Sequence, residues 1–214
     1  MTVRHQFVLR PNIISFCIIS ACYLAIAGCA AAFKPNVTAE PIALQSGEYA
    51  LDKEHAALVF KVGHLGFSKF IGRFENFDVA LDFDEQNPQD ARVEAVIDMT
   101  SLDIANDSFA AQLMGPGWFD AEQFPQAVFR STQIEITGDN TGRMTGELTL
   151  RGVTHPVAMD VIFNGGARDN IRRAYVIGLS AQGAFSRKAF GVDRYSLFVG
   201  DAVELEIEAE FMKK

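Results

Sequence analysis

The stretch Val203-Glu204-Leu205-Glu206-Ile207-Glu208-Ala209-Glu210-Phe211 places an apolar side chain at every odd position and a glutamate at every even one. Successive side chains of a strand point to opposite faces, so this is one strand with a dry face and a wet face. Four unpaired carboxylates cannot be buried, so the glutamate face lies in water. The same period recurs upstream. Leu58, Phe60, Val62 and His64 oppose Val59, Lys61 and Gly63. Phe77, Val79, Leu81 and Phe83 oppose Asp78, Ala80 and Asp82, and Ala91, Val93, Ala95, Ile97 and Met99 oppose Arg92, Glu94 and Asp98. Phe70, Gly72 and Phe74 have the opposite parity to Phe77, which predicts a bulge near Glu75-Asn76. Further strands are expected at 126–137, 142–151, 156–164 and 174–185, separated by Gly138-Asp139-Asn140, Gly152 and Asn164-Gly165-Gly166.

One segment breaks the pattern. Asn106 to Met114 puts Phe109, Leu113 and Met114 on one helical face, with Asp107 as the expected N-cap and Gly115-Pro116 as the stop. A short turn over Trp118 to Phe124 follows. The fold class is therefore all-β, with about eight antiparallel strands and one short helical insertion. A closed barrel covers the apolar faces and removes exposed edges. A sandwich satisfies the same periodicity.

The N-terminal segment reads as an address. Residues 1–28 hold Arg4 and Arg10, no acid, and an uncharged apolar run from Ile13 to Ala27. That is the layout of a secretory signal. The run ends in Leu24-Ala-Ile-Ala-Gly-Cys29, which resembles the lipobox of bacterial lipoproteins; Ile26 stands where Leu is commonest. The resemblance implies cleavage before Cys29 and acylation of its thiol, placing the chain at the cell envelope, on the periplasmic side, lipid-anchored. A plain secretory signal would instead leave it soluble in the periplasm. Residues 29–47 contain Pro35 and Pro41 and neither strand nor helix period, so they read as a tether of about 25 Å coiled and about 60 Å stretched. Residues 48–214 form the folded domain.

Composition narrows the function. The whole chain carries −8, and removing the two arginines of 1–28 makes the remainder more acidic still. This argues against nucleic acid as a partner. The three cysteines are Cys17, Cys22 and Cys29, so the domain has no internal disulfide. Of 18 phenylalanines all but Phe7 and Phe16 follow Gly28, an ample supply for an apolar core.

Several short motifs now fall in order: Tyr49-Ala-Leu-Asp-Lys-Glu-His55, His64-Leu-Gly-Phe-Ser68, Phe74-Glu-Asn-Phe-Asp78, Phe119-Asp-Ala-Glu-Gln-Phe-Pro125 with Ala127-Val-Phe129, and Gly146-Glu-Leu-Thr-Leu-Arg-Gly-Val-Thr-His-Pro156. From about Gly47 to Met212 the chain resembles the YceI-like family of polyisoprenoid-binding periplasmic proteins. The resemblance implies an extended lipocalin-like barrel of eight strands. It also implies a long isoprenoid (quinone or polyprenyl) or similar lipid held in an apolar tunnel, and no catalytic residues. The lipobox departs from the family's simpler, freely soluble members.

The inward set is Leu58, Phe60, Val62, Phe74, Phe77, Val79, Leu81, Met144, Leu148, Leu150, Ile177, Phe185, Leu205 and Ile207. It is either packed core or ligand wall. His64 shares its inward parity and is a hydrogen-bonded core histidine, a headgroup contact or, with no second ligand at spacing, a metal ligand. Phe185-Ser-Arg-Lys-Ala-Phe-Gly-Val-Asp-Arg194 is a solvated loop or a rim where Arg187 and Arg194 meet a phosphate-bearing headgroup. Trp118 and Phe119 either cap an opening or pack. Asp98, Asp103 and Asp107 are read as exposed acids. No catalytic elbow, zinc helix or phosphate loop is present, so no cofactor or metal is expected beyond the lipid. The chain reads as a binding protein rather than an enzyme. An enzyme acting on a lipid in the barrel, or a ligand-free structural or stress-response module of the envelope, are the other readings. A homodimer is left open.

Overall fold

A computed structural model describes residues 34–40 and 44–214. The expected signal peptide, Cys29 and the start of the tether lie outside them. Among the described residues ten strands alternate with turns and one α-helix. They are β1 (Gly47–His64), β2 (Ser68–Phe74), β3 (Phe77–Phe83), β4 (Arg92–Asp98), β5 (Leu102–Asp103), β6 (Gln126–Ile136), β7 (Thr141–Leu150), β8 (Val153–Asp169), β9 (Ala174–Ser186) and β10 (Val199–Lys213). The helix α1 spans Asp107–Met114. Neighbours in space run β10-β9-β8-β7-β6-β4-β3-β1, and β1 pairs back onto β10. The eight-stranded antiparallel barrel is thus closed, with β2 and β5 as extra pieces. Closure rather than a sandwich follows from β1, which is long enough to pair with β10 on one edge and with both β3 and β2 on the other.

The bulges explain the parity changes. Strand direction breaks at Glu75-Asn76, where Ser101 holds the kink: Glu75 N–H donates to Ser101 O and Asn76 N–H to Ser101 Oγ. Phe74 and Phe77 are both buried as a result. A second break lies in β1, between Leu51, opposite Phe211, and Ala56, opposite Ala209. Tyr49 and Leu51 point inward before it and Phe60 after it. A third falls at Thr132, between Ser131 and Gln133. The register shifts in β1 and β6 each add residues to one strand only, bending the sheet into the ring.

The helix differs from expectation in its cap. Asn106, extended at φ −150°, accepts from Phe109 N–H at 3.0 Å, and Asp107 is the first helical residue. The turn favours the residue whose backbone is still extended. Ala110 and Leu113 are buried, and Phe109 packs edge-on against Phe70 at 5.7 Å.

The barrel has two unlike ends. The turn after β1, the segment 99–125 and the turns after β7 and β9 gather at one, called the mouth below. The turns after β3, β6 and β8 gather at the other. There the described part of the expected tether is docked: Thr38 pairs antiparallel with Gly166, with bonds of 3.2 and 2.8 Å.

The bulge in β1 also builds the main ion cluster. Arg172 Nη1 lies 2.6 Å from Asp52 Oδ2 and 2.7 Å from Glu210 Oε2, and Arg172 Nε lies 2.7 Å from Asp169 Oδ2. His55 Nδ1 lies 2.9 Å from Asp52 Oδ2. Asp52, His55 and Glu210 are spaced as metal ligands could be, but the cation among them is the Arg172 guanidinium. Burial would raise the Asp52 carboxyl; Arg172 and His55 outweigh it and hold it below the usual carboxylate range. A depressed carboxylate contributes stability above its unfolded value, about 3.9, and loses it as pH falls through the folded value. Arg172→Met should therefore cost about 2 kcal/mol at neutral pH, less than a fully buried pair because the arginine is 26% exposed. The deficit should shrink below about pH 4, where a protonated Asp52 needs no cation. Urea midpoints of both proteins at the two pH values check this; a deficit constant with pH would refute it.

Candidate functional site: an apolar tunnel in two chambers

Inward side chains of the barrel do not meet at its axis. Toward the mouth they leave a cavity of about 660 Å³, and toward the other end one of about 270 Å³. Leu58, Ile97, Leu148 and Leu205, from β1, β4, β7 and β10, border both spaces and form a waist between them. The wide chamber is of the size that holds a small-molecule ligand.

The expected inward set divides between the two. Leu58, Phe60, Val62, His64, Phe74, Leu148, Leu150, Phe185 and Leu205 line the wide chamber. Val79, Leu81, Met144 and Ile207 line the narrow one, with Leu58, Leu148 and Leu205 again. Phe77 and Ile177 line neither and are buried in packed core, Ile177 being 1% exposed. The tunnel walls also use residues that strand parity alone does not select. Phe109 and Leu113 of α1, then Trp118 and Phe119, close one side of the wide chamber. Phe119 packs edge-on against Phe74 at 6.1 Å. The helical face of Phe109 and Leu113 was visible in sequence; its position over the barrel was not. Gly72 is needed opposite Phe60, because a Cβ there would overlap the Phe60 ring.

Polar groups are few. His64 is exposed at the mouth, beside the chamber, and its ring makes no hydrogen bond among the described residues. Trp118 is 7% exposed, and its Nε1 has no acceptor among the described residues. Arg187 is buried at the chamber wall, but its guanidinium is committed. It donates to Gly200 O, Val192 O, Arg194 O and Val199 O at 2.6 to 3.0 Å. Burial pulls its pKa down, with Asp201 and Asp193 opposing. Its donors thus face the 192–200 backbone, leaving Lys188 and Arg194 as the exposed cations of the 185–194 loop. Arg194 lies over the Tyr195 ring at 5.2 Å.

Of the acids expected to be exposed, Asp107 is exposed at the start of α1, and the other two have structural partners. Asp98 accepts from Thr100 N–H, and Asp103 from Arg73 at 2.7 Å. The arrangement therefore offers an apolar tunnel rather than a set of reacting groups.

The model of the YceI-like domain matches residues 49–211. The chain belongs to the YceI-like family. A UPF0312 protein of Yersinia pestis is 34% identical over 167 residues, covering 77% of this chain and 86% of that one. Among solved structures, Burkholderia cenocepacia BcnA superposes with a TM-score of 0.68 at 23% identity, over 75% of this chain and 98% of that one. A polyisoprenoid-binding domain from Saccharophagus degradans gives 0.57 at 11% identity, over 79% and 100%. These likenesses show the same barrel.

Proposed function

We propose that this YceI-like protein holds a long-chain isoprenoid, a quinone or polyprenyl chain, or a similar lipid, in the bacterial cell envelope. The observation that carries this reading is the pair of apolar chambers that share the Leu58, Ile97, Leu148 and Leu205 side chains. An elongated, nonpolar space suits a chain that can be threaded, not a compact polar metabolite. Each buried isoprene unit contributes about 4 kcal/mol gross, so a few units exceed the cost of association. The unpartnered Trp118 Nε1 beside the wide chamber favours a headgroup with a carbonyl, as a quinone has. Solvent extraction and mass spectrometry of the purified protein test the reading. A long-chain lipid at near-stoichiometric amount is expected. A barrel that is empty and takes up neither quinone, polyprenol nor fatty amide would overturn it.

The proposed site of action is the periplasmic face of a membrane, with acylated Cys29 as the anchor. The support is the lipobox-like run ending at Cys29. Among the described residues no helix is long and apolar enough to cross a membrane. Cys29→Ala should move the protein out of the detergent phase in phase partitioning, since two or three acyl chains make attachment effectively permanent. Unchanged partitioning would refute acylation at this residue.

A further inference from the structure

The apolar lining of the wide chamber does not stop at its mouth. Leu65, Tyr195 and Phe198 wall the chamber and are also half exposed, at 50%, 49% and 53%. Beside them Phe67 is 88% and Leu197 92% exposed. These five side chains sit on two loops, after β1 and after β9, joined by Leu65 N–H donating to Phe198 O at 2.8 Å. Large apolar residues at protruding loop tips are not accounted for by scattered surface exposure.

Shape and charge together say what they fit. Side chains that project singly from loop tips match a fluid apolar phase better than a preformed protein groove. The nearby cation, Arg194, lies on Tyr195 and makes no ion pair among the described residues. The two β10 glutamates nearest the mouth, Glu204 and Glu206, are paired by Lys69 and Lys61 at 2.6 and 2.7 Å. Asp193 lies within the field of Arg187, and Asp201 accepts from Ser186 Oγ and Lys188 N–H. An aromatic and aliphatic tip with an arginine behind it is the chemistry of an interfacial anchor. At the opposite end the exposed large apolar side chains among the described residues, Val37 at 57%, Ile136 at 49% and Ile162 at 42% besides Ile171, are aliphatic only. There Ala39 and Leu44 lie over the narrow chamber and Thr38 is bonded to Gly166, while Ile171, 73% exposed, stands at the β8–β9 turn.

We propose that this collar is a bilayer-docking surface: Phe67 and Leu197 enter the outer acyl region of a phospholipid membrane and bring the tunnel mouth against it. Lipid then passes between membrane and barrel without crossing water. The inference rests on the lipid-binding reading and adds where and how the lipid enters. It also orients the molecule, since the docked segment at Thr38 leaves from the other end.

The test uses the full chain, purified from membranes and reconstituted in phosphatidylcholine–phosphatidylglycerol vesicles containing acyl-brominated phosphatidylcholine. Leu197→Trp and Ile171→Trp each add one indole, and the emission of Trp118 in the parent is subtracted. Leu197→Trp should be blue-shifted and strongly quenched, and Ile171→Trp unquenched. The reverse pattern, or quenching of neither, would overturn the proposal. In a second arm, Phe67→Ser with Leu197→Ser should keep its extracted lipid and slow lipid transfer between vesicles by about tenfold or more. Unchanged transfer would overturn it. A variant that turns a dimer into a monomer while Leu197→Trp stays unquenched would make the collar a self-contact, which also overturns it. Strong quenching in a protein that proves unable to take up any lipid would sink the binding reading alone and leave the docking surface standing.

Discussion

Arg187→Leu is expected to cost about 4 kcal/mol of unfolding free energy, the largest loss of any single substitution proposed for this protein. The side chain is 4% exposed and donates to four backbone carbonyls between Val192 and Gly200. Leucine fills part of the volume but leaves those carbonyls unpaired, and a buried orphaned acceptor costs about 1–3 kcal/mol. Water reaching some of them keeps the total near the lower end of that sum. Arg187→Lys retains the charge but not the planar fork, so about half the loss should remain. Arg194→Leu, at an exposed position on the same loop, should stay within about 0.5 kcal/mol of the parent. Denaturant titration of the three variants separates these values. Parent-like stability in Arg187→Leu would mean that the carbonyl net does not hold the mouth.

Closing the waist should change which lipid is carried. Leu148 and Leu205 border both chambers, so Leu148→Phe with Leu205→Phe pushes two rings into the passage. The wide chamber remains, and a short chain still fits. A long isoprenoid loses the burial of roughly one unit beyond the waist. With about half of that gross gain surviving in the parent, its affinity should fall by roughly thirtyfold, or about 2 kcal/mol. Overpacking costs about 1–3 kcal/mol in stability, which the closed ring of strands should withstand. Mass spectrometry of extracted lipid should show the bound chains shortening. If the double variant carries chains as long as those of the parent, the two chambers do not act as one tunnel.

Much of this architecture follows from local pattern, and the places where local pattern ends are informative. Alternation assigns inward and outward sides residue by residue because a strand admits only two faces. Thus Leu205, Ile207, Val79 and Leu81 could be read as interior without coordinates, and the Phe74–Phe77 parity change marked the kink at Glu75-Asn76. The break between Leu51 and Ala56 also leaves a parity change, but four polar or charged residues, Asp52 to His55, blur it. What each inward residue faces depends on the ring as a whole. Ile177 and Leu205 have the same apolar character and alternation; one is packed in solid core and the other stands at the waist.

By itself, then, the order of residues determined an all-β antiparallel domain, its apolar interior, the family to which the chain belongs, and a short helix after β5. Those properties depend on period and local motif, which act over a few residues. Tertiary structure alone decided that the ring closes, that it leaves two chambers instead of a filled core, that α1 covers one of them, and that Arg187 is spent inside its own loop while Leu197 and Phe67 remain in solvent. Each of these depends on which distant segments come into contact, and a two-residue period carries no information about the neighbour across the barrel.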